Sequence, residues 1–135
     1  MADQNILICE SNGEVENAIY NKRKFKIISI TNLILGSCQI GSEGVKYLSD
    51  SLKSNTTITT LYLRENNIGS GGVKYLCDSL KSNSTITTLF LGSNNIGSEG
   101  FKYLSDTLKN NTTITALDLR ANQCCKQLQE ALGTE

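Results

Sequence analysis

The chain contains no histidine, no proline and no tryptophan, and its charges cancel, with 13 Lys and Arg against 13 Asp and Glu over 135 residues. Without histidine it lacks the commonest general base and a frequent metal ligand, and a cysteine nucleophile would lack its usual imidazole partner. Formal neutrality removes the global attraction to phosphate on which nucleic-acid affinity rests, so no nucleic-acid partner is expected. No apolar run approaches the ~20 residues that cross a bilayer, so no membrane partner is expected either. No glycine-rich loop is followed by the Lys-Ser or Lys-Thr of a phosphate-binding motif. The five cysteines (Cys9, Cys38, Cys77, Cys124, Cys125) are odd in number and scattered. They read as small apolar packing residues in a reducing compartment, and the adjacent pair supplies too few ligands for a closed zinc site. We therefore expect no cofactor and no enzyme. The run Ile6-Leu7-Ile8-Cys9 is too short, and has no basic residue before it, to act as a signal peptide. The expected location is cytoplasmic. Richness in Asn, Lys, Ile and Thr without proline suggests an AT-rich genome, and a parasite or pathogen source would imply delivery into a host cell.

What the chain has is repetition. Leu33, Leu61, Leu89 and Leu117 follow one another at intervals of 28 residues, as do Leu35, Leu63, Leu91 and Leu119, and Ile30, Ile58, Ile86 and Ile114. Leu48, Leu76 and Leu104 share the step, as do Leu52, Leu80 and Leu108, and Gly44, Gly72 and Gly100. Such a period marks a solenoid of stacked units, none of which can bury its apolar face alone. Within a unit, apolar residues alternate around Leu61-Tyr62-Leu63, the pattern of a strand with both leucines inward. Val73, Leu76 and Leu80 then fall on one face of a helix. Ser42, Ser70 and Ser98 stand where a hydroxyl would cap that helix, and Glu43 and Glu99 complement its positive end. Each helix should stop near Ser54-Asn55 or Ser82-Asn83, short polar residues that favour a turn. The glycines of the first turn are expected where backbones of adjacent units approach. Asn66, Asn94 and Asn122 are expected to form a ladder of side-chain bonds to neighbouring coils, with Cys38 standing in for the first of them.

Three acceptor patterns for glycosylation (Asn55-Thr56-Thr57, Asn83-Ser84-Thr85, Asn111-Thr112-Thr113) fall on one repeated turn and read as turn chemistry. Lys22 to Lys26 form the only basic run, read as a solvated connection, with a targeting signal as the sharper alternative. Lys46/Asp50, Lys74/Asp78 and Lys102/Asp106, four residues apart, are expected to form a solvated helix face.

The unit Ile58-x-x-Leu61-x-Leu63-x-x-Asn66-x-Ile68, followed by a helix carrying Gly72, Leu76 and Leu80, resembles a leucine-rich repeat. Its 28-residue step resembles the ribonuclease-inhibitor-like subclass. The resemblance implies an α/β fold, a right-handed horseshoe with a parallel sheet on the concave side and helices on the convex side. It covers roughly residues 25–124, and the expected organisation is a single domain, residues 1–135, with a degenerate N-terminal cap over 1–26, repeats over 27–122 and a short C-terminal cap over 123–135. Leu128 and Leu132 suit a last short helix.

If Leu61 and Leu63 face the core, their neighbours face out. The outward column then reads Ile34, Tyr62, Phe90 and Asp118, with Leu7 as its expected start. Arg64 and Arg120 run beside it, with Glu65 close by. An exposed apolar column rimmed by charge suits a protein interface, and Gly92 and Ser93 are expected to leave room for a partner's side chain. The expected function is therefore a protein–protein interaction module that binds a partner protein through Ile34, Tyr62, Arg64, Glu65, Phe90, Asp118 and Arg120. One alternative is a homodimer pairing through a thin C-terminal end. Another, by family analogy, is a regulator of a small GTPase or a microbial effector acting on a host protein.

Overall fold

The structure is a computed structural model in which residues 6–8 and 31–122 are described. Five three-residue strands alternate with helices after the second strand: β1 (Ile6–Ile8), β2 (Asn32–Ile34), α1 (Gly41–Ser54), β3 (Thr60–Tyr62), α2 (Gly69–Ser82), β4 (Thr88–Phe90), α3 (Ser98–Asn110) and β5 (Ala116–Asp118). The strands form one sheet in chain order, every pair parallel. From β2 onward the register joins residues 28 apart, so Leu33, Leu61, Leu89 and Leu117 align. The repeat seen in the sequence is thus one coil of the solenoid. The register of β1 corrects the outward column: Leu7 pairs with Leu33, and Ile8 stands at the position of Ile34. The expected caps, the Lys22–Lys26 run, Cys124–Cys125 and the Leu128/Leu132 helix lie outside the described residues.

The core lies between sheet and helices. Leu61 and Leu89 from the strands, with Leu63 and Leu91 just beyond them, meet Leu48, Leu52, Leu76, Leu80 and Leu104 from the helices, all buried. Burying each such side chain stabilises the fold by roughly 1.5–3 kcal/mol. In the last described coil Ile114 and Leu117 are only half-buried, while their equivalents Ile58, Ile86, Leu61 and Leu89 are fully enclosed by coils on both sides.

Polar ladders hold the coils in register. Asn94 is fully buried; its Oδ1 accepts the backbone N–H of Asn66 (2.8 Å), and its Nδ2 donates to the carbonyls of Leu63, Leu91 and Gly92 (2.8–3.1 Å). Asn66 and Asn122 do the same one coil away. Cys38 takes the position with a thiol that reaches the Gly36 carbonyl at 3.3 Å, the bond that Asn66 makes to the carbonyl of Arg64. A second ladder went unforeseen. Asn83 Oδ1 closes its own turn by accepting from Thr85 and Ile86, and its Nδ2 donates to the Leu52 carbonyl of the preceding coil at 2.9 Å. Asn55 and Asn111 close their turns in the same way. The turn reading of these acceptor patterns therefore holds, with inter-coil bonding added.

The helix starts differ from expectation. α1 and α2 begin at Gly41 and Gly69, whose φ of 65° and 66° lies in the left-handed region that glycine adopts without strain. Ser42 and Ser70 therefore sit inside the first turn, and none of the three described helices carries a side-chain N-cap bond. Ser70 instead accepts the N–H of Gly100 in the next coil at 3.1 Å. Gly72 does mark a close approach: a Cβ there would run into Ile68 Cγ2 and lie 3.2 Å from the Cα of Ser42.

Candidate functional site

Alternation along the strands turns one residue in two away from the core, and the outward set is the one expected. Ile34, Tyr62, Phe90 and Asp118 stand in adjacent registers and are half-buried. The rings of Tyr62 and Phe90 meet with centroids 5.2 Å apart and planes tilted by 42°, a favourable aromatic geometry. The structure thus brings the aromatic pair together as one platform across two coils.

The charged residues are arranged in a way the sequence does not disclose. Arg120 is bound to Asp118 through two guanidinium nitrogens, Nε at 3.0 Å from Oδ1 and an Nη at 2.8 Å from Oδ2, and its backbone N–H also donates to Oδ1 at 3.0 Å. The hydrogen bond from Arg120 holds the Asp118 carboxyl below the usual carboxylate range, with a smaller contribution from the charge of Arg64. Glu65 accepts a 2.6 Å bond from the Ser37 hydroxyl one coil earlier. Two of the expected rim charges are therefore already engaged within the chain.

Arg64 differs. Its side chain lies across Gly92, so that a Cβ on that glycine would stand 3.0 Å from Arg64 Nε and 3.1 Å from the Arg120 carbonyl. Gly92 is buried, and the room expected beside Phe90 is filled by Arg64. In the opposite direction, the Tyr62 ring of the same coil leans back over Gly36 of the preceding one. Outward positions alternate Gly36, Arg64, Gly92, Arg120, and each small residue makes room for a large neighbour. The Nε of Arg64 is buried and has no hydrogen-bond partner.

The helix side offers less. Lys46, Lys74 and Lys102 and Asp50, Asp78 and Asp106 are exposed, the solvated face expected, and each Asp pairs with the lysine three residues later, at 3.6 Å. Lys46 reaches over the ring of Tyr75 in the next coil, and Lys74 over Tyr103, at 5.7 and 5.9 Å. A cleft of about 410 Å³ lies at the helix-to-strand turns, between Leu80–Ser84 and Asn110–Thr113. The amides of Asn83 and Asn111 that line it are committed to backbone groups.

A family model described as a leucine rich repeat matches the chain in three copies, over residues 27–49, 54–77 and 82–105, together more than half of its length. Among solved structures the chain is similar to leiomodin-1 actin-binding site 2, with a TM-score of 0.79 at 20% identity, over 97% of this chain and 78% of that one. At this identity the likeness concerns the fold. No curated protein matches the chain.

Proposed function

Because the chain belongs to the leucine-rich repeat family, we propose that it is a protein-interaction module that holds a partner protein against the outward, concave face of its sheet. One observation carries the reading. In a chain whose coils repeat their leucine, glycine and asparagine columns, the outward column changes at every step (Ile34, Tyr62, Phe90, Asp118) and carries a half-exposed aromatic pair. Both aromatic residues stay partly open to solvent, and large aromatic rings are frequent binding anchors. Arg64, Glu65 and Arg120 flank the pair. The 28-residue step and the helical outer layer support the ribonuclease-inhibitor-like subclass. No catalytic step is assigned to the chain.

The test is quantitative capture by the immobilised full chain and by its Tyr62→Ala/Phe90→Ala variant. The expected result is a partner retained by the first and lost by the second while the far-UV circular dichroism of the variant stays native. Equal capture by both removes the reading. The similar leiomodin-1 structure is described as an actin-binding site, so purified actin is the first single protein to offer.

A further inference from the structure

We propose that Arg64 is the acid-receiving subsite of this face, and that the partner docks an extended segment carrying an Asp or Glu side chain next to an apolar one. The inference rests on the reading of the outward face just given and names the chemistry that the face would recognise.

Three observations converge on Arg64. Its Nε is buried without a hydrogen-bond partner, and among the described residues no ion pair includes its guanidinium. A buried donor without a partner is costly, so an acceptor that draws the half-exposed Arg64 side chain outward relieves that cost. The nearby carboxylates are engaged elsewhere: Asp118 is bound on both oxygens by Arg120, and Glu65 accepts from Ser37. The guanidinium is also the next outward group along its strand from Tyr62, whose ring forms the apolar platform with Phe90. A positive fork beside two rings fits a carboxylate and an apolar side chain presented together. Charge favours a carboxylate over a phosphate. A dianion placed here would face Asp118 and Glu65, whereas a single negative charge matches the one uncommitted cation of the face.

The test is selection of binders from a random-peptide display library by the full immobilised chain. The best binder is then resynthesised with its acidic position as Glu, Gln or phosphoserine. The expected result is enrichment of an acid adjacent to an apolar residue, with the Glu peptide binding about tenfold or more tightly than the Gln peptide, as a charge-assisted bond requires. Arg64→Gln should reduce that ratio to about twofold or less. Arg64→Lys should keep a reduced preference, and it decides the matter if Arg64→Gln does not fold. Lys109→Gln, the same charge change on α3, should behave as wild type. Binders that depend on Tyr62 and Phe90 but show no acid preference overturn the Arg64 assignment and leave the face as a binding surface. Tighter binding of the phosphoserine peptide overturns the carboxylate assignment. If no selected peptide depends on Tyr62 or Phe90, the subsite and the face fall together.

Discussion

On the helix side the same residues return in every coil: Lys46, Lys74 and Lys102, then Tyr47, Tyr75 and Tyr103, with Asp50, Asp78 and Asp106 a turn later. On the outward side of the sheet they do not, and Ile34, Tyr62, Phe90 and Asp118 differ in size, polarity and charge. Both sides are exposed to the same solvent and built on the same 28-residue step. The difference lies in what each position touches. A repeated residue meets its own copy, or a fixed partner, in the next coil, as Lys46 meets Tyr75 and Lys74 meets Tyr103. A varying residue is not tied to one recurring partner, as Tyr62 meets Phe90 rather than a second tyrosine. Repetition inside one chain therefore separates scaffold from surface with no other sequence needed.

The strongest way to break this comparison is to change a repeated residue and find that nothing happens. Asn94→Ala removes one accepted and three donated bonds at a fully buried site between coils. With several backbone groups left unpaired, the expected loss is about 3 kcal/mol or more in urea unfolding. Tyr62→Ala, at a half-exposed varying position, is expected to lose about 1–2 kcal/mol. A reversal of that order would undo the distinction between the two sides.

Two glycines sharpen it. Gly72 faces a core isoleucine and the backbone of Ser42, neither of which can move aside, so Gly72→Ala should destabilise by about 1–3 kcal/mol through overpacking. Gly92 faces the flexible side chain of Arg64 and, at 3.1 Å, the carbonyl of Arg120. Gly92→Ala should therefore shift the midpoint less, by less than about 1 kcal/mol, as Arg64 swings away. Thermal unfolding of both variants under one buffer checks the pair.

The fold was legible in the sequence because stacking forces periodicity into it. The leucine columns, the first-turn glycines and the Asn66 ladder each followed from a residue returning at one interval. The caps expected at Ser42 and Ser70 failed because the helices start before them, at Gly41 and Gly69, whose positive φ hydroxyl patterning does not reveal, and Ser98 is itself the first residue of its helix. The Asn83 ladder had a readable signal, since Asn55, Asn83 and Asn111 share the period; turn chemistry explained them too readily for a second role to be sought. The outward column was legible by alternation, but its electrostatics was not. Arg64 leans over Gly92 and Glu65 accepts from Ser37 across coils, while Arg120 binds Asp118 within its own coil, and alternation discloses none of these contacts.

The smallest expected effect concerns the Asp118–Arg120 pair. Asp118 titrates below the usual carboxylate range because Arg120 hydrogen-bonds its charged form. A carboxyl whose folded pKa lies below its unfolded one stabilises the fold above the unfolded value and loses that contribution as pH falls through the folded value. Arg120 is about three-quarters exposed, with 73% of its side-chain surface open to solvent, so screening keeps the contribution small. In Arg120→Gln the Asp118 titration, followed by NMR, should move up towards an ordinary carboxylate. The difference in melting temperature between wild type and variant should be slight at neutral pH and should close as the solution is acidified through that range. Asp118 occupies a varying position, so its pair should be dispensable to the fold where Asn94 is not. A loss of stability in Arg120→Gln comparable to that of Asn94→Ala would place the last outward register with the scaffold and confine the binding face to Ile34, Tyr62 and Phe90.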